Sequence, residues 1–108
     1  MNRILTILFD EFSIDPDACA EIVNQACRRQ TPLRVSGVAV EPDRLIVALE
    51  PTEAPPPRYN FAPVAAESVH DYETEIAARY YAGFSLVCGF QLRGSRWAFY
   101  ASAAPLAT

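Results

Sequence analysis

His70 is the only histidine of this 108-residue chain, and two carboxylates, Asp71 and Glu73, stand within three residues of it. A histidine beside carboxylates has the parts of a general base or of a fragment of a metal site. Two features favour the simpler reading of a solvated surface side chain. Ser68 and Asp71 have capping-box spacing, which puts His70 on the first turn of a helix, where the helix dipole disfavours an imidazolium. No second histidine is there to complete a usual ligand set. No metal or cofactor is therefore expected, and His70 remains a candidate ligand contact only.

Arg93 and Arg96 flank Gly94-Ser95, where glycine suits a two-residue type II′ turn. On that register the two guanidinium groups oppose each other across the hairpin, and an anion should relieve them. The anion is either a carboxylate of this chain or of a second subunit, or a bound phosphate or carboxylate ligand; the first reading is preferred. Tyr59 is a further candidate, lining a pocket between the first hairpin and a proline-rich crossing with Phe61 beside it. Tyr72 and Tyr80 would join it if the chain were a small enzyme with an apolar pocket.

Much other chemistry is excluded by residue type. All nine cations are arginine, so Schiff-base catalysis, a P-loop lysine and a lysine base are absent. The four glycines form no phosphate cradle, and Ser, Thr and Cys show no nucleophile-elbow spacing. Pro56-Pro57-Arg58-Tyr59 spells a proline-rich ligand string, read here as a coincidence of the crossing. Cys19, Cys27 and Cys88 are an odd set without a CxxC pair, which reads as three small buried fillers rather than a disulfide framework. Thirteen carboxylates against nine arginines give a net charge of −4, which argues against nucleic acid. The apolar run Ile4 to Phe9 is too short for a signal peptide, and Tyr80 to Leu92 is too short to span a bilayer. The expectation is a cytoplasmic protein with no membrane partner.

The elements that must position these residues follow from periodicity. Arg3 to Phe9 reads as a strand. Asp15 and Pro16 open a helix that runs to Arg28 and Arg29, with Ile14 stapling onto Cys19. Leu33 to Val40 and Leu45 to Leu49 form a hairpin around Glu41-Pro42-Asp43-Arg44. Pro51 to Pro63 holds five of the nine prolines and reads as a stiff crossing, with Tyr59 to Ala62 as a short edge strand. The second helix starts at Ser68, shows an apolar face of Val69, Tyr72, Ile76, Tyr80 and Phe84, carries a Glu75–Arg79 pair and stops at Gly83. Phe84 to Leu92 alternates with one apolar side. Pairing across the turn then sets Leu92 opposite Trp97, Phe90 opposite Phe99 and Cys88 opposite Ala101, with Trp97 buried.

The two hairpins align at a constant offset of 52 residues. Gly37 lies over Gly89, Arg44 over Arg96, Leu45 over Trp97 and Val47 over Phe99. Each half thus reads strand–helix–strand–strand, units 3–50 and 58–102 joined by the crossing 51–57, in a single domain of 1–108. The expected fold is α+β: one antiparallel sheet of about six strands with two helices packed on one face, of which a ferredoxin-like arrangement is the commonest kind. The stretch Gly83-Phe84-Ser85-Leu86-Val87 resembles small bacterial domains in which a helix runs into Gly-aromatic-x-Leu-Val and then a hairpin. That resemblance covers about a quarter of the chain and implies a fold but no activity.

Gly37, Ala39 and Ala48 give the first hairpin a second face that is small and apolar. Such a face calls for a cover, and self-association through it, as a homodimer, is the simplest. The expected function is a non-catalytic binding or self-association module. The alternative is a small oligomeric enzyme or ligand-binding protein with an apolar pocket for an unknown small molecule.

Overall fold

The computed structural model describes residues 2–102, so the ends of the expected 1–108 domain lie outside the described residues. The element order is β1 (Arg3–Leu8), α1 (Phe9–Ile14), α2 (Pro16–Cys27), β2 (Leu33–Val40), β3 (Arg44–Pro51), β4 (Arg58–Pro63), α3 (Val69–Tyr81), β5 (Phe84–Leu92) and β6 (Ser95–Ser102). The fold is α+β. The strands form two antiparallel three-stranded sheets, ordered β1-β3-β2 and β4-β6-β5, rather than one six-stranded sheet. Both halves therefore have the same strand order, with the last strand of each unit in the middle.

The helices also depart from expectation. They number three among the described residues and do not share one face. α1 was not foreseen: Phe9 and Phe12, three apart, share one helical face, and Asp10 and Glu11 suit its first turn. Phe12 is fully buried and meets Phe61, Phe90 and Trp97 edge-on at 4.9, 5.5 and 4.8 Å. α2 begins as its sequence says, with the Asp15 carboxylate accepting from the Ala18 N–H at 3.0 Å and proline in the first turn. Ile14 makes no staple, because it is 85% exposed. Together α1, α2 and the inner faces of both sheets form one core, containing Val23, Cys27, Leu45, Val47, Leu49 and Phe99.

α3 packs on the other side of the second sheet, beside β5. Its cap holds, with the Ser68 hydroxyl accepting from the Asp71 N–H at 3.1 Å. None of its residues is buried, and Tyr80 is 66% exposed, so its predicted apolar face only partly contacts the sheet. Beneath it, Ala62, Ala98 and Tyr100 make a small second cluster with Phe84 and Val64.

The second hairpin turns differently from its prediction. Arg93 (φ 50°) and Gly94 (φ 82°) both take left-handed conformations, which is a type I′ turn closed by Leu92 and Ser95. The register moves by two residues, leaving the apolar parity intact. Phe90 now faces Trp97 and Cys88 faces Phe99, while Ala101 faces Ser85. Trp97 is half-buried against Phe12 rather than enclosed by Leu92. The first hairpin instead closes at Val40 and Leu45, so the second turn is two residues shorter. The offset of 52 thus applies to β2 and β5 alone; counted from the turns, Val47 corresponds to Trp97, an offset of 50.

A bulge interrupts each bulged edge. Ser36 is skipped between the pairs Val35–Leu49 and Gly37–Ala48, and Val87 between Leu86–Tyr100 and Cys88–Phe99. The second bulge breaks the predicted alternation: Val87 and Cys88 both reach the core, whereas Phe84 joins the cluster beneath α3.

Candidate functional site

The sequence-predicted candidates do not assemble into one site. Tyr59 sits 3% exposed in the core, where it joins three elements. The buried Asn24 side chain on α2 donates to the Tyr59 carbonyl at 2.9 Å and accepts from its N–H at 2.7 Å. The Tyr59 hydroxyl accepts from the Val35 N–H at 2.9 Å, beside the β2 bulge. Burial pushes the Tyr59 hydroxyl up, partly offset by that hydrogen bond. Asn24 was missed by sequence reading, although its signal was present: it stands in helical phase with Ala20 and Cys27, a polar residue on an apolar face.

Arg93 and Arg96 separate. Arg93 lies in the turn and pairs with Asp10 at 2.7 Å, both side chains well exposed. Arg96 faces Gln91 on the outer side of the second sheet. There it lines a hollow of about 330 Å³ with Tyr72, Leu86 and Gly89. His70 is exposed on the first turn of α3, its carbonyl accepting from the Thr74 hydroxyl. Among the described residues no group of three His, Cys, Asp or Glu side chains is placed to hold a metal ion. Nor is any helix among them long and apolar enough to cross a membrane.

The expected Glu75–Arg79 pair is absent among the described ion pairs, and the Arg79 guanidinium lies 5.2 Å over the Tyr100 ring instead. The Tyr100 hydroxyl and the side-chain amide oxygen (Oδ1) of Asn60, on cross-strand neighbours, are buried without hydrogen-bond partners. Burial alone lifts the Cys88 thiol to about 11, which makes it a poor nucleophile at neutral pH. Cys19 and Cys27 are free, buried and raised as well.

The outer faces of the two sheets give the clearest functional contrast. Gly37 pairs with Ala48, and Gly89 with Ala98, each the fourth pair from its turn. The rows continue to Ile4 on β1 and Ala62 on β4. In the second sheet this row is covered: the Tyr72 hydroxyl of α3 reaches so close that a Cβ on Gly89 would lie 2.7 Å from it. In the first sheet the row is bare. A Cβ on Gly37 would meet nothing within 4 Å, Ile4 is 60% exposed, and Ala39 beside Ile46 is exposed too. The Arg34–Glu50 ion pair closes one end of this face and Arg44–Asp43 the other.

A scan against protein-family models, a search of curated proteins and a search of solved structures each give no match to this chain.

Proposed function

We propose that this protein is a non-catalytic association module that pairs with a second copy through the outer face of β1, β3 and β2. The observation that carries the reading is the bare row Ile4–Ala48–Gly37, set against the same row of the second sheet under α3. An apolar sheet face without a second layer leaves its hydrophobic surface in water, and a two-fold copy of itself removes that cost for both. Small side chains at Gly37, Ala39 and Ala48 let two such faces approach closely.

The alternative of an enzyme or ligand binder with an apolar pocket has less support. Its polar candidates are scattered: Tyr59 is enclosed in the core, Tyr72 lies over Gly89, and Tyr80 and His70 point to solvent.

Sedimentation from micromolar to near-millimolar concentration tests the reading. The wild-type chain should run at twice the chain mass, and Gly37→Arg, which meets no neighbour, should run as a folded monomer. A wild-type monomer throughout, or an undisturbed Gly37→Arg dimer, overturns it.

A further inference from the structure

β1 is an edge strand, bonded only to β3, and it carries neither a bulge nor a proline. Alternate residues of an edge strand offer unpaired N–H and C=O groups to any extended segment alongside. Beside this edge lie Ile22 and Ala26, one turn apart on α2, and Arg29, two residues beyond the end of that helix. With Arg3, Leu5 and Gln25 they bound a slot of about 320 Å³. Ile22 is 51% exposed at its rim. A second hollow of about 400 Å³ continues from it over Leu33 and Thr31, and it shares both Arg3 and Arg29.

The charge of this corner runs against that of the chain. Arg3, on β1, and Arg29, in the loop after α2, border both hollows, and neither has a carboxylate partner among the described residues. Two arginines beside the apolar Leu5, Ile22 and Ala26 suit a carboxylate, which guanidinium groups bind with charge-assisted hydrogen bonds.

We propose that this slot binds the carboxyl terminus of an extended apolar peptide, which adds to β1 as a fourth, antiparallel strand. The polarity follows from the chain direction. β1 runs from Arg3 to Leu8, so an antiparallel strand finishes at Arg3 and delivers its terminal carboxylate between Arg3 and Arg29. A parallel strand would start there and set its ammonium against both arginines. Every second side chain of the added strand enters the Leu5, Ile22 and Ala26 slot, so main-chain bonds give affinity and the slot selects apolar residues. This assignment is independent of self-association through the Gly37 face, and a chain that is monomeric in solution leaves it standing.

Fluorescence anisotropy of the full chain tests it with fluorescein-labelled hexapeptides of alternating Thr and Val, ending in Val, Leu, Ile or Phe. Each is made as the free acid and as the amide. At least one free acid should bind saturably, its amide about tenfold or more weakly, as loss of a charge-assisted contact requires. Arg29→Gln, at an exposed position, should weaken the free acid to a similar degree and leave the amide unchanged. Amide-proton shifts of the bound chain should cluster on Arg3 to Leu8. The proposal is overturned if no free acid saturates, if acid and amide bind alike, or if Arg29→Gln has no effect on the acid.

Discussion

The Asn24 side-chain amide binds the main chain of Tyr59 on both sides, donating to its carbonyl and accepting from its N–H, across 35 residues of sequence. β4 is the edge of its sheet, so Tyr59 has main-chain groups that no neighbouring strand satisfies. Asn24 supplies what a strand would, and so ties the helix of one unit to the first strand of the other.

Asn24→Ala should therefore cost about 2–4 kcal/mol, because it orphans a buried donor and a buried acceptor at once. Tyr59→Phe keeps the ring in place and removes only the acceptor for Val35, which should cost about 1–2 kcal/mol. Urea unfolding of both variants measures this. A smaller loss for Asn24→Ala than for Tyr59→Phe would show that the amide does not hold the two units together.

Contact between Tyr72 and Gly89 makes a second prediction. Gly89 has no positive φ, so its lack of a side chain serves the approach of Tyr72 rather than the backbone. Gly89→Ala should lose about 1 kcal/mol in the wild-type chain, since the ring must move off the sheet. In a Tyr72→Ala background the same change should be neutral or stabilising by about 0.5 kcal/mol, through the less flexible unfolded chain. A double-mutant cycle reads the difference, and additive effects would remove α3's phenol from above this strand.

Alkaline pH should weaken the fold through Cys88. Its folded pKa, about 11, lies above the ordinary 9.0 of the unfolded thiol, so folding favours the protonated form. The contribution is fully present below pH 9 and is lost as pH rises through about 11. The urea midpoint should fall more steeply over that window in the wild type than in Cys88→Ala. Parallel curves would mean that the thiol titrates freely in the fold.

Local chemistry was the legible part of this fold. Asp15 and Ser68 cap the helices the sequence assigns them, because a cap needs only its own four or five residues. Prolines around Tyr59 to Ala62 marked an edge strand, and β4 is one. What failed depends on partners far away in sequence. Arg93 takes a positive φ that glycine would suit better, so the turn lies one residue nearer the N-terminus than expected and the pairing shifts by two. Val87 breaks alternation for a bulge that no short-range pattern announces. Whether β2 and β5 join into one sheet is decided by twist and packing, and neither is written in either strand. The candidate site was the least legible. Arg93 found Asp10, 83 residues away, and the slot between Arg3 and Arg29 arises only when α2 returns beside β1.

Among the described residues four strand edges remain in the two sheets, and three of them are guarded. β2 and β5 each carry a bulge, and β4 has proline before it and at its end. Only β1 is plain. Growth of the sheet by strand addition therefore has a single starting point and, once that is used, no further one. A strand added there leaves no second plain edge among the described residues, so the sheet gains one strand and stops.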